Sequence, residues 1–227
     1  MQLFFRISFL ILFWANSALA ADIPLEAEDW TLATEQDGII LYTRPQPDSS
    51  YKAFKAVTVL DAPLNDVLAV MADPQSCLAW VKGCIHVEGF DERSFNDRYA
   101  YSVNDMPWPV KDRDYVIHIV TTAREIPGTV VMHMTAAPEK RPVSADLVRV
   151  TVTQTHYYFT PTEDGRTRMV WLQHAEPGGV LPAWLVNALI VDIPVESIRA
   201  LQKVVKQPRY QGYHLIYRDG ELVGVSR

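Results

Sequence analysis

The chain has 227 residues, 48% of them apolar, and its 27 acidic residues outnumber 21 basic ones for a net charge of −6. That length and apolar share fit one medium domain with a sizeable core and leave little room for a second. The acidic balance, with no basic patch along the chain, excludes nucleic acid and anionic lipid surfaces as charge-driven partners.

In chain order, Met1 to Arg6 is a short basic start, Ile7 to Trp14 is apolar apart from Ser8, and Ala18-Leu19-Ala20 supplies the small residues that precede a leader cleavage site. Residues 1–20 are therefore expected to be a secretory signal, with export to a periplasmic compartment. The competing expectation is an uncleaved anchor, because Leu3 to Leu19 approaches spanning length. Cleavage would remove Arg6 and leave 20 basic residues against 27 acidic, a net of −7.

Asp22 to Trp30 is acidic and reads as a short helix or arm that brings Trp30 onto the body. Strands are expected at Gly38 to Arg44 and Tyr51 to Leu60, then a helix from Leu64 to Met71 and a further turn from Gln75 to Val81. Six strands follow, at Cys84 to Phe90, Arg98 to Val103, Asp114 to Thr122, Thr129 to Ala136, Leu147 to Thr160 and Arg168 to Ala175. Their short connections favour antiparallel pairing.

The two cysteines, Cys77 and Cys84, lie seven residues apart. On one continuous helix that spacing holds their Cα atoms about 10 Å apart, beyond the about 7 Å that a disulfide reaches. A bridge thus requires the helix to stop between them, and Gly83 is a suitable breaker. Formed, it would add about 2.5 kcal/mol through chain entropy; the alternative is two separate reduced thiols.

From Glu176 onward, Pro177, Gly178 and Gly179 end the last strand, Pro182 sits at the first helical turn, and about seven turns of helix run to Lys206. Apolar residues recur at three- and four-residue steps, so a broad face is buried against the sheet. Leu189 to Ile193 is apolar nearly all round apart from Asp192, which calls for cover on more than one side or a ligand alongside. Pro194 removes a backbone bond and is expected to bend the helix. The tail 207–227 reads as a small hairpin turning at Asp219-Gly220.

Several stretches together resemble a START domain, the lipid-transfer domain related to steroidogenic acute regulatory protein. They are Gly38 to Arg44 after Trp30, Trp80, the run Pro109 to Val116, Val148-Arg149-Val150 leading to Thr160-Pro161, Val170-Trp171, and Glu176 to Asn187. The resemblance spans Trp30 to Lys206 and rests on order and spacing. It implies an α+β helix-grip fold, in which a curved antiparallel β-sheet wraps a long C-terminal α-helix and leaves an apolar tunnel. It further implies a monomeric carrier of one lipid or other hydrophobic molecule, with transient membrane contact, no catalysis and no cofactor. The loops Thr122 to Gly128 and Thr162 to Gly165 would be the counterparts of the family's access loops. Aligned on Arg113-Asp114, the positions where some sterol-binding relatives carry an acid and a base fall on Ala100 and Ile119, so no ion pair is expected in this tunnel.

Residue parity supplies the tunnel lining. Tyr115, Ile117 and Ile119 share a face with Arg113, Ala100 and Ser102 join them from the preceding strand, and Trp184, Ala188 and Val191 come from the helix. Arg149 is expected either to anchor a polar ligand group inside or to bridge strands outside. Arg113 and Asp114 point to opposite faces and are expected to have separate structural partners. Trp108 and Trp184 are placed near tunnel mouths, where an amphipathic ring suits a membrane surface, with core packing the alternative for both. None of the six histidines shows metal-ligand spacing. The alternatives are an enzyme of the polyketide cyclase or aromatase type, using His118 or His133 with Tyr101, and an envelope interaction protein acting through its tail.

Overall fold

The structure, a computed structural model, describes residues 25, 27–123, 128–179 and 181–227. The expected leader, residues 1–20, and residues 124–127 of the first expected access loop lie outside the described residues. The elements are β1 (Thr31–Gln36), β2 (Ile39–Arg44), β3 (Ala53–Leu60), α1 (Leu64–Ala72), α2 (Cys77–Trp80), β4 (Cys84–Ser94), β5 (Asp97–Asn104), β6 (Arg113–Ala123), β7 (Val130–Ala136), β8 (Val148–Val150), β9 (Val152–Pro161), β10 (Thr167–Glu176), α3 (Ala183–Val204), β11 (His214–Arg218) and β12 (Glu221–Ser226).

The main sheet runs β1-β2-β3-β10-β9-β7-β6-β5-β4, every neighbouring pair antiparallel. It is the curved antiparallel sheet and long helix of the helix-grip fold. Two elements differ from the sequence expectation. β1 is an additional, largely exposed edge strand, joined to β2 through Asp37 and Gly38, both at positive φ (54° and 72°); that backbone twist suits a two-residue hairpin turn. The expected long strand from Leu147 to Thr160 is two pieces. β7 leaves the sheet after Ala136, and β8 takes the vacated place beside β6, pairing parallel with Arg113 at Val148 and with Asp114 at Arg149.

The inner face of the sheet carries Ile39, Leu41, Phe54, Ile117, Met132, Phe159, Met169 and Trp171 in one cluster with α1 and α3. On the outer face, Trp30 packs with Ala53, Val170 and Leu172, and the Lys55 ammonium lies 5.1 Å from its ring centre. Between α2 and β4 the chain turns at Gly83, whose φ is +84°, and Cys77 and Cys84 are joined by a disulfide with their Cα atoms 6.1 Å apart. β11 and β12 form a hairpin over α1. Leu222 is buried there, Asp66 Oδ1 accepts from the Tyr213 amide at 3.1 Å, and Asn96 donates to the Leu222 carbonyl.

Pro182 caps α3, which runs unbroken through Pro194. Its C-terminal half buries Val195, Ile198, Leu201 and Val204 to 3% exposure or less. Its N-terminal half is packed more loosely: Leu185, Leu189, Ile190, Val191 and Ile193 are only partly buried, and Trp184 and Ala188 are exposed.

Candidate functional site

Against the inner face of the sheet lie two apolar hollows, one under α3 and one under the α1–α2 segment. The first, of about 110 Å³, is bounded on the sheet side by Phe54, Tyr115, Gln173 and Ala175, on the helix side by Val186, Leu189, Ile190, Ile193 and Pro194, and at its rim by Lys52, Met106, Pro177 and Leu181. We call it the lid hollow. The second, of about 130 Å³, lies beside α2 under Ala100, Ser102, Ile117, Ile119, Met132, Met134, Tyr157 and Trp80. This deep hollow shares Met71, Pro74, Ala100 and Ile119 with a smaller space of about 80 Å³ toward β4. The two main hollows have no lining residue in common. Trp171 links their walls: its ring centre is 5.1 Å from Phe54, 5.2 Å from Tyr157 and 6.0 Å from Trp80.

The residues of the sequence-derived lining fall in different places relative to these hollows. Parity on β5 and β6 puts Ala100, Ser102, Ile117 and Ile119 on the deep hollow and Tyr115 on the lid hollow. On α3 the rotation differs. Ala188 and Trp184 face solvent, Val191 packs on the core, and Val186, Leu189, Ile190 and Ile193 take the cavity side. Arg149 is not among the lining residues of either hollow. Its guanidinium donates to Asp114 Oδ2 at 2.7 and 3.0 Å and to the carbonyls of Pro138, Arg141 and Pro142. It bridges strands on the outer face, and this buried pair fixes β8 against β6. His118, His133 and Tyr101 occupy the outer parity as well, with His118 Nε2 2.7 Å from Asp97 Oδ1.

Arg113 does a different job from its neighbour Asp114. It is 2% exposed, and its donors go to the backbone carbonyls of Pro177 (3.2 Å), Gly178 (3.0 Å) and Lys111. No carboxylate forms an ion pair with it among the described residues. A buried cation held only by carbonyl dipoles is costly, and burial lowers its proton affinity. The carbonyls it grips belong to the turn that launches α3, where Gly178 and Gly179 both have positive φ and a Cβ at Gly178 would come within 3.2 Å of Val148. Burial likewise pushes the Tyr115 phenol up to about 12, with Arg113 opposing the shift, and raises Tyr157 on the deep hollow. Phe54, Gln173, Met132, Met134 and Tyr157, absent from the sequence-derived lining, all follow from applying inner-face parity to β3, β7, β9 and β10.

This arrangement of sheet, helix and enclosed space is that of a helix-grip domain. The sequence profile of the START domain matches residues 11–210, and the chain belongs to that family. It is 34% identical over 181 residues to an uncharacterized protein of Pseudomonas aeruginosa, covering 80% of this chain and 89% of that one. It is 26% identical over 170 residues to the phosphatidylcholine transfer protein of Rattus norvegicus, covering 72% and 77%. Among solved structures, a STAR-related lipid transfer protein fragment from Xanthomonas axonopodis superposes with a TM-score of 0.74 at 27% identity, over 79% of this chain and all of that one. Human STARD10 superposes with a TM-score of 0.72 at 22% identity, over 82% and 77%, which bears on the fold alone.

Proposed function

We propose that the protein is a non-enzymatic carrier that binds one lipid-class molecule between the sheet and α3, and exchanges it at a membrane surface. The observation that carries this reading is an apolar hollow under the half-packed half of α3, with a second apolar hollow further along the same sheet face. The relatives named for lipid transfer support it. Each hollow is smaller than the about 300 Å³ at which small-molecule sites begin, so occupation requires the N-terminal half of α3 to move outward and the Trp171 partition to yield. Joined and widened by that movement, the two spaces would accommodate an extended apolar chain.

Two exposed tryptophans favour exchange at a bilayer. Trp108 is 93% exposed, two residues from the rim residue Met106; Trp184 is 73% exposed, three residues from the rim residue Leu181. Indole rings settle at the boundary of headgroups and acyl chains without needing surface charge, which suits an acidic protein. The expected leader together with a disulfide fits export to an oxidising envelope compartment; cell fractionation checks that part.

Native mass spectrometry of delipidated protein, offered a total lipid extract, tests the carrier reading. One bound hydrophobe per chain is the expected result. Absence of capture across broad lipid classes would overturn it.

A further inference from the structure

We propose that the lid hollow receives the anionic, acceptor-only head of an amphiphile, a phosphate or a carboxylate, while the deep hollow takes its apolar part. This rests on the carrier reading and deepens it by assigning a head class and an orientation.

The polar groups of the lid hollow are donors. Trp171 Nε1, which can only donate, lies 3.2 Å from Gln173 Oε1. That contact fixes the amide's orientation, so the Gln173 NH₂ group is left as a donor with no protein acceptor among the described residues. The Tyr115 hydroxyl has no hydrogen-bond partner among the described residues either, and its raised proton affinity keeps it a donor at neutral pH. The Lys52 side chain stands at the rim without an ion-pair partner among the described residues. Behind Pro177, the Arg113 cation has three carbonyls and no carboxylate. In a protein of net charge −6 this hollow thus has a cation at its edge, donors in its wall and a second, carbonyl-held cation behind it. Anion recognition has that composition, because hydrogen bonds to an ionised acceptor are about twice as strong as neutral ones.

The deep hollow differs in kind. No cationic residue lines it, the Asp73 carboxylate accepts from the Tyr210 hydroxyl at 2.6 Å and the Gln75 amide at 3.0 Å, and the Ser76 hydroxyl is engaged with the Val70 carbonyl and the Trp80 indole. Its remaining lining is mostly methionine, aromatic and aliphatic. A head at the lid hollow and a tail past Trp171 match both ends.

The experiment offers delipidated full-length protein to phosphatidylcholine vesicles doped with equal minor fractions of phosphatidylglycerol, oleic acid and diacylglycerol. The captured lipid is then quantified by mass spectrometry. The expected result is capture of phosphatidylglycerol or oleic acid over diacylglycerol by about tenfold, and whichever is taken identifies the head as phosphate or carboxylate. Lys52→Gln and Tyr115→Phe should each reduce that preference about fivefold. Lys52 is exposed, so its variant tests the site without disturbing the core. Equal capture of diacylglycerol, or variants that retain the full preference, would overturn the head assignment while leaving the carrier reading intact. Capture of nothing by the wild-type protein would overturn both.

Discussion

The two halves of α3 share one helix and one sheet but are held by different physics. From Val195 onward the helix is core: Ile198 and Leu201 are fully buried, Ser197 Oγ accepts from the Lys82 amide at 2.9 Å, and ion pairs Lys82–Glu196 and Arg199–Asp37 flank it at 2.8 and 2.6 Å. Before Pro194 the helix touches the body mainly through partly buried aliphatics beside a hollow. Its polar ties are to Asn187, whose side chain accepts from the Lys52 amide at 3.1 Å and donates to the Ser50 carbonyl at 3.4 Å. One half is an anchor, and under the carrier reading the other is a lid. Burial, not helicity, sets local opening free energy, so one helix can combine a tightly held half with a more easily opened one.

The comparison is sharpened most by cutting side chains from each half. Leu201→Ala should cost about 3 kcal/mol, in the range for buried leucines, whereas Ile193→Ala, already bordering a void, should cost about 1 kcal/mol. Urea unfolding measures both, and equal costs would erase the distinction. Next in size, Cys77→Ser with Cys84→Ser should lower stability by about 2.5 kcal/mol and loosen the anchor half, since the bridged loop carries Lys82. Chemical denaturation of the oxidised protein against the double variant reads this. Arg113→Lys should cost about 2 kcal/mol, because an ammonium cannot serve three carbonyls in the plane a guanidinium spans. Its distinctive signature is faster amide exchange at 177–187 with 195–204 unchanged. The smallest effect concerns pH. Burial depresses the His174 proton affinity, with Glu176 opposing. The folded state therefore prefers neutral imidazole, and stability present above the ordinary histidine range is lost as pH falls through it. His174→Gln should flatten the decline in urea midpoint between about pH 7 and 5.5.

How much of this the sequence disclosed depends on what each signal can encode. Strand parity is binary, so Arg113 at the head of β6 was enough to place Tyr115, Ile117 and Ile119 inside, and the same count on β5 placed Ala100 and Ser102. Helix rotation is continuous, and Leu189 to Ile193 is too uniformly apolar to fix it; Ala188 and Val191 were chosen where Leu189, Ile190 and Ile193 face the hollow. β1 was overlooked because an exposed edge strand, Thr31-Leu32-Ala33-Thr34-Glu35-Gln36, has no apolar alternation, although Asp37-Gly38 ahead of β2 was a readable turn. Arg149 was unreadable for a topological reason. Its partner Asp114 is reached through the parallel pairing of β8 with β6, which exists because β7 ends early. A continuous tunnel was expected, and the partition at Trp171 depends on ring orientations that no periodicity carries.

Hydrogen exchange along α3, with and without captured lipid, is the most direct measurement. The account predicts that amides of residues 185–193 exchange much faster than those of 195–204 in the empty protein, and slow markedly once lipid is bound. Uniform protection along the helix in the empty protein, unchanged by lipid, would contradict it.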